Sequence, residues 1–188
     1  MAAVNRTWVG TTSGDYSVST NWSPAAVPLV TDNVRIPAGS PAITAGLNQS
    51  AVSLGDFIVE DGFANTIASS AAYLQIVCSR FLFYGTGLSY IDIGTSAIAP
   101  QVFKTAAAAQ GYRGLYLKGS AITTLSVMGG KVGLASLAFE TATATTVRVT
   151  GSGSVWIGAA ATLTTLLQER GDSVLRSAAT TVRVHGGT

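Results

Sequence analysis

Carboxylates are the side chains of this sequence that could most readily do chemistry. The chain has 188 residues and nine Asp and Glu residues, of which four merit attention as a group: Asp56, Glu60, Asp61 and Asp92. Two carboxylates about 5 to 10 Å apart can cleave a glycosidic bond, one as an acid and the other as a nucleophile or base. However, Glu60-Asp61-Gly62 is also an ordinary turn sequence. The same residues therefore fit either a catalytic pair or a set of turns.

Other catalytic and ligand-binding groups are scarce. His185 is the only histidine and Cys78 the only cysteine, so an imidazole-based metal site, a cysteine metal cluster and an intrachain disulfide are excluded. The sequence Gly129-Gly130-Lys131 lacks the spacing of a phosphate loop, and Val132 stands at its Ser/Thr position. We therefore predict no catalytic, cofactor-binding or metal-binding residues, no enzyme activity and no small-molecule substrate. Cys78 is expected to pack as a small apolar side chain.

The composition predicts a folded chain whose outer surface is covered by a partner. Hydrophobic residues make up 47% of the chain and charged residues only 11%, which is too apolar for disorder and low in charge for a lone soluble monomer. The net charge is +2, and the basic residues are scattered over separate candidate strands instead of forming one patch. This distribution argues against nucleic-acid binding.

Neither a membrane span nor a secretory signal is predicted. The first residues lack a basic segment followed by an apolar one. The two long uncharged stretches, 62–79 and 149–168, are interrupted by Gly, Ser, Thr, Asn or Gln and form no continuous apolar span. The expected place of assembly is therefore the cytoplasm.

A short sequence motif, called a phrase below, recurs four times near the end of the chain. Each copy begins with Thr-Thr, and three of them reach glycine at the seventh position; the copies start at Thr123, Thr145, Thr164 and Thr180. This pattern is typical of a short half-buried strand that ends in a turn. A unit of about 20 residues is too small to bury its own apolar face, so neighbouring units must stack as a solenoid. In the second copy, Val147 and Val149 are expected to face the core and Arg148 the solvent.

Further strand phrases that lead to glycine begin at Val34, Phe57, Phe81, Tyr90 and Leu115. Since a solenoid turn commonly uses two or three short strands, the phrases amount to about seven or eight turns. The aromatic residues among them are expected to form a core ladder: Tyr73, Phe81, Phe83, Tyr84 and Tyr90. The segment 100–110 is rich in helix formers. It is interpreted equally well as a short helix or as an excursion at the edge of the solenoid shaft.

Residues 1–30 differ from the rest and predict an arm and cap for the first turn. They carry large apolar side chains between turn residues, and a stack of strands exposes an edge and an open core that need such a cover. The candidate cap residues are Trp8, Tyr16, Asn21, Trp22 and Asp32. Residues 31–188 are assigned to the solenoid.

The N-terminal segment resembles the entry of a class of parallel β-helix proteins found in bacterial surface and autotransporter-type passengers and in phage structural proteins. The resemblance covers about 30 residues and rests on Trp8-x-Gly10, Gly14-Asp15-Tyr16, Asn21-Trp22, Val27-Pro28 and Asp32-x-Val34-x-Ile36. Tyr16 stands where that pattern more often has tryptophan. The resemblance implies a right-handed β-helix without choosing a function, because the relatives include adhesins, enzymes and virion parts.

These observations predict an all-β protein with one domain, a single-stranded right-handed parallel β-helix with an N-terminal cap. The leading functional hypothesis is a virion structural protein, either a phage capsid-decoration (cement) protein or a tail or spike-type protein. It would act as a homotrimer, with the major capsid protein or a tail protein as its partner. The alternative is a carbohydrate-binding or carbohydrate-active β-helix, as an adhesin or as a polysaccharide lyase or hydrolase.

Overall fold

The computed structural model describes residues 2–105, 114–137 and 140–186. In these residues the protein is built from β-strands, with one short 3-10 helix at Ser19–Asn21. The strands are β1 (Asn5–Trp8), β2 (Trp22–Ser23), β3 (Asn33–Ile36), β4 (Asn48–Val59), β5 (Leu74–Phe83), β6 (Ser89–Asp92), β7 (Gln101–Val102), β8 (Leu115–Lys118), β9 (Ile122–Val127), β10 (Lys131–Leu134), β11 (Ala142–Val149), β12 (Ser154–Ile157), β13 (Ala161–Gln168), β14 (Asp172–Leu175) and β15 (Ala179–Val184).

The strands stack as a parallel β-solenoid, which confirms the predicted fold class. Strand β1 pairs with β2 in the antiparallel sense, and the remaining pairings between these strands are parallel. The described residues form about six turns, which roughly fits the seven or eight expected. Each turn is too short to hold a core of its own, so parallel stacking buries the apolar side of every strand.

Two ladders run along the shaft and meet in β5. One ladder has the order β5-β6-β8-β10-β12-β14, and the other runs from β5 through β7, β9, β11 and β13 to β15. The first residues of β5 pair with β6, and its last residues, Leu82 and Phe83, pair with β7. From β6 onward, each turn therefore supplies one strand to each ladder.

A column of stacked side chains runs along the second ladder, and its members from Ile36 to Gln168 are buried in the core. Its members occupy equivalent positions on successive strands: Ile36, Val59, Phe83, Val102, Val127, Val149, Gln168 and Val184. The six members from Ile36 to Val149 are fully buried. Gln168 is also buried, and its amide donates to the Gly171 carbonyl at 2.7 Å and accepts from the Ser173 hydroxyl. A polar residue fits this column because its hydrogen bonds are made within the turn.

The four Thr-Thr phrases lie directly above one another, as the repeat predicts. Thr146 pairs with Thr124 on one side and with Thr165 on the other, and Thr165 pairs in turn with Thr181. The predicted facing is also confirmed, because Val147 is fully buried and Arg148 is exposed. The third copy keeps this register, and its extra residue lies between the strand and Gly171, whose φ is +77°.

The segment 100–110 begins as a strand where a helix or an excursion was considered. Gln101–Val102 form β7, while residues 106–113 lie outside the described part of the chain. Val102 stacks between Phe83 and Val127 in the core column. The strand pairing and burial in the ladder therefore outweigh the helix-favouring sequence around these two residues.

Only part of the expected aromatic ladder lies in the core. Phe57, Phe81 and Phe83 are fully buried, and their rings stack at centroid distances of 5.9 Å and 6.3 Å. Tyr84 is only partly buried and stacks on Phe103 at 4.3 Å. Tyrosines 73 and 90 belong to a separate cluster described below.

Candidate functional site

The four candidate carboxylates are each held by a basic side chain. The pairs are Asp56 with Arg80, Glu60 with Arg35 at 3.0 Å, Asp61 with Lys104 at 2.7 Å and Asp92 with Lys118 at 3.6 Å. The hydrogen bond and charge of Lys104 hold the pKa of Asp61 below its ordinary value. The structure therefore gives each of these carboxylates a cationic partner of its own.

Three of the four ion pairs connect neighbouring turns of the solenoid, whereas Asp61 and Lys104 lie two turns apart. Asp56 and Arg80 occupy paired positions on β4 and β5, and Asp92 and Lys118 do so on β6 and β8. A diagonal pair also joins neighbouring turns, because Arg148 of β11 binds Glu169, two residues beyond its paired residue Leu167. Opposite charges at paired positions of adjacent strands stabilise a sheet by a few tenths to about 1 kcal/mol each. The carboxylates therefore lie where their ion pairs can stabilise the stacking of one turn on another.

Three of the predicted cap residues, Trp8, Tyr16 and Trp22, form one buried aromatic cluster at the start of the shaft. The indole of Trp22 lies edge-on to the rings of Trp8 and Tyr16, at 5.1 Å and 4.6 Å. Trp8 donates its ring N–H to the Pro41 carbonyl at 2.9 Å, and Trp22 donates to the Tyr16 carbonyl at 2.8 Å. The Tyr16 hydroxyl is buried and has no hydrogen-bond partner in the described residues. That this cluster serves as a cap remains a prediction.

The buried polar residue Asn21 fixes a loop of this segment. The Asn21 amide accepts from the backbone N–H groups of Thr12 and Ser13 and donates to the Asp15 carbonyl at 2.9 Å. Asn21 is fully buried, and these bonds satisfy its amide.

Asp32 joins the chain start to the turn before β3. Its carboxylate accepts from the backbone N–H groups of Val4 and Leu29, both at 3.0 Å, and from Arg6 Nε at 2.9 Å. Asp32 and Arg6 are only 3% and 8% exposed, so this is an ion pair largely withdrawn from water. Arg6 also donates to the Pro24 carbonyl at 3.3 Å.

A group of polar and aromatic side chains that was not predicted as a site lines a groove beside Tyr73. The groove has a volume of about 410 Å³, and Lys118 and Glu140 also line its 280 Å³ neighbour together with Asp92. Lys118 Nζ lies 4.5 Å from the centre of the Tyr73 ring. The Tyr73 hydroxyl donates to Glu140 Oε1, and Oε2 of the same carboxylate accepts from the Leu137 N–H at 2.8 Å.

A column of tyrosines continues from this groove along the outside of the first ladder. The ring of Tyr90 lies edge-on to Tyr73 at 5.5 Å and stacks on Tyr116 at 4.7 Å. Tyr90 and Tyr116 are paired residues of β6 and β8. Tyr116 is 3% exposed, so most of this column is packed against the protein.

The side chains of the Tyr73 groove satisfy one another. Burial and the hydrogen bond to Glu140 raise the pKa of Tyr73, which keeps its hydroxyl protonated and therefore unable to act as a base near neutral pH. Both Glu140 oxygens accept hydrogen bonds, and Lys118 contacts Asp92 and the Tyr73 ring. This arrangement suits a structural clamp, or contact with a polar ligand, better than proton transfer.

The single cysteine and the single histidine are the remaining candidate groups. Cys78 is buried, and burial raises the pKa of its thiol to about 12, so it packs as an unreactive side chain, as expected. His185 is exposed beyond the end of β15. Within residues 2–105, 114–137 and 140–186, no three His, Cys, Asp or Glu side chains are grouped so that they could hold a metal ion. In the same ranges, no helix has the length and apolar character needed to cross a membrane.

One ion pair beside the Tyr73 groove could have been predicted from the sequence. Asp92 and Lys118 follow equivalent strand phrases one turn apart, so their pairing is implied by the repeat. Glu140 is 67 residues from Tyr73 and lies outside any strand, so no periodic signal brings it to the groove.

Comparison with known proteins adds no relative to this description. No family model matches the chain, and no curated protein or solved structure matches it significantly.

Proposed function

We propose that this protein is a structural component of a phage virion, either a capsid-decoration (cement) protein or a tail or spike-type protein. It acts as a homotrimer that binds the major capsid protein or a tail protein. It assembles in the host cytoplasm and resides in the virion. The proposal includes no catalytic activity.

The observation that carries the proposal is the use of the candidate carboxylates as ties between turns. Each of the four carboxylates that could serve chemistry is paired with Lys or Arg. Catalysis by a carboxylate pair requires an acid and a base within reach of one substrate atom. A continuous core column and turn-to-turn ion pairs instead favour a rigid shaft, which suits a mechanical role.

The low charge content of the chain supports the trimer. Only 11% of the residues are charged, and an elongated solenoid has a large surface for its volume. Closed cyclic symmetry is a common way to cover such faces with identical copies. The exposed apolar residues Leu29 and Val30 near the chain start, 50% and 58% exposed, provide one surface that a partner could cover.

We expect light scattering to give a mass that is a multiple of three chains of 19.1 kDa. The physical reason is the burial of weakly charged faces between copies. A mass of one chain, with no association on purified particles, would contradict the trimer. Measurement at low and high salt would show whether ion pairs hold the copies together.

Substitution of the four carboxylates by Asn or Gln tests the absence of catalysis. We expect neither the wild-type protein nor any single or combined variant of Asp56, Glu60, Asp61 and Asp92 to release products from bacterial polysaccharides. The variants should remain folded, because the ion pairs are at least partly exposed and contribute little each. Cleavage by the wild-type protein that any one substitution abolishes would show that the structural proposal is wrong.

The Tyr73 groove favours one alternative function, the binding of a carbohydrate. Asn48, Gln75 and Lys118 line it together with an aromatic ring, and such groups bind sugar hydroxyls and ring faces. A panel of surface polysaccharides distinguishes the two proposals. Binding that is lost in Lys118→Ala but kept in Lys104→Ala, whose ammonium pairs with Asp61 instead, would favour the alternative.

A further inference from the structure

Four polar side chains form a column on the outer side of the first ladder. They occupy paired positions on the successive strands β4, β5, β6 and β8: Asn48, Gln75, Asp92 and Lys118. The residues on both sides of Gln75, Leu74 and Ile76, are fully buried, so the column faces away from the core. Since paired strands lie about 4.8 Å apart, the column extends for about 14 Å along the shaft.

The polar column lines the Tyr73 groove and the smaller cavity next to it. The two cavities, of about 410 Å³ and 280 Å³, share Lys118 and Glu140 in their walls. Side chains with hydroxyl groups also line them: Ser70, Thr95, Ser120 and Thr141. We call the two cavities together the extended groove. Because its column crosses four turns, the extended groove runs along the shaft.

The extended groove presents hydrogen-bonding groups that the described residues leave unused. The side-chain amide of Gln75 has no hydrogen-bond partner among residues 2–105, 114–137 and 140–186. Asn48 Oδ1 accepts from the Ser50 N–H at 3.3 Å and from its hydroxyl at 2.8 Å, and these bonds do not use the Asn48 NH₂ group. An amide both donates and accepts, so these two residues suit a ligand whose groups do the same.

The charge of the extended groove selects against acidic ligands. Its walls hold two carboxylates, Asp92 and Glu140, and one ammonium group, Lys118, which gives a net charge of about −1 with all three groups ionised. Phosphate or carboxylate groups repeated along a polymer would be repelled by this charge. Hydroxyl groups carry no charge and can donate to carboxylates and amides or accept from amides and Lys118.

We propose that the extended groove binds a neutral polysaccharide chain that lies along the shaft and contacts the polar column in successive turns. This inference rests on the carbohydrate-binding alternative of the proposed function. It adds the class of glycan, which is uncharged, and the direction of the bound chain. Binding to the purified chain and stability of the virion are separate measurements, so the failure of one proposal is recognised without the other.

The first test is calorimetric titration of the 188-residue chain with neutral polymers (dextran, mannan and galactan) and acidic ones (polygalacturonate and alginate). We expect binding to a neutral polymer and no binding to the acidic ones. Gln75→Ala should weaken binding about 2- to 10-fold, the effect of one neutral hydrogen bond. Gln101→Ala is the matched control, because Gln101 is a partly exposed glutamine on β7 of the second ladder, and it should leave the affinity unchanged.

The second test reverses the charge of the extended groove. The double variant Asp92→Asn with Glu140→Gln keeps the oxygen acceptors and changes the net charge of the groove from about −1 to +1. We expect this variant to bind polygalacturonate or alginate, which the wild-type protein rejects. Fragments of the bound neutral polymer should bind more tightly with increasing length until they span the column, about 14 Å, and no more tightly beyond it.

Three results would overturn the inference: no binding to any neutral polymer, equal effects of Gln75→Ala and Gln101→Ala, or wild-type preference for an acidic polymer. The last result would assign the groove to anionic chains held by Lys118. Far-UV circular dichroism and thermal unfolding check that each variant is folded. Retained folding is expected because the substituted side chains lie on the outer side of the ladders and are not fully buried.

Discussion

Replacing Val147 by Asp is expected to unfold the shaft. Val147 is fully buried and stacks between Leu125 and Leu166 of the neighbouring strands. A carboxylate at this position would be buried without a partner, which costs several kcal/mol out of a total stability of about 5 to 15 kcal/mol for a typical domain. Urea unfolding followed by far-UV circular dichroism measures the loss.

Arg148→Asp is the matched control on the next residue of the same strand. The Arg148 side chain is 49% exposed and pairs with Glu169, and an exposed ion pair contributes about 0 to 1 kcal/mol. We expect this substitution to change the free energy of unfolding by less than about 1 kcal/mol. Equal losses in the two variants would show that the facing of β11 is wrong.

Replacing Asp32 by Ala is expected to produce the second large loss. It removes the acceptor of two backbone N–H groups and leaves the Arg6 guanidinium unpaired in a nearly buried site. Removal of one partner from a buried ion pair costs about 3 to 5 kcal/mol. Asp61→Ala serves as the control, because its side chain is 67% exposed, and the loss should be much smaller. Comparable losses in the two unfolding curves would contradict the structural importance of the Asp32 network.

Asp32 should also contribute to acid sensitivity. Burial acts to raise the pKa of Asp32, but the hydrogen bonds from Leu29, Arg6 and Val4 outweigh it and hold the pKa below its ordinary value. As the pH falls below about 4, the unfolded chain takes up a proton before the folded chain does. The stabilisation is therefore complete above the unfolded pKa and is lost as the pH falls through the folded pKa. In Asp32→Asn the free energy of unfolding should fall less steeply over this range, and an unchanged slope would contradict the assignment.

The solenoid could be predicted because its sequence signal and its packing have the same cause. Stacked turns place equivalent residues above one another, so Thr124, Thr146, Thr165 and Thr181 recur in sequence and pair in space. The alternation within each phrase fixed which side chains face the core, as Val147 and Arg148 show.

Features outside the strands could not be predicted in the same way. The contact of Tyr73 with Glu140 joins a strand boundary to a loop several turns away, and loop paths follow no repeat. Strand β5 takes part in both ladders, so counting phrases gave slightly more turns than the structure has. The repeat implies that Asp92 and Lys118 pair, but it does not decide between a catalytic and a structural use of the carboxylates.

The stability of purified particles with and without the protein tests the structural role most directly. We expect particles that lack the protein to lose their resistance to heat or low salt. Added wild-type protein should restore that resistance, and so should each variant of Asp56, Glu60, Asp61 and Asp92 carrying Asn or Gln. Absence of the protein from purified particles, or equal resistance of particles with and without it, would contradict the account.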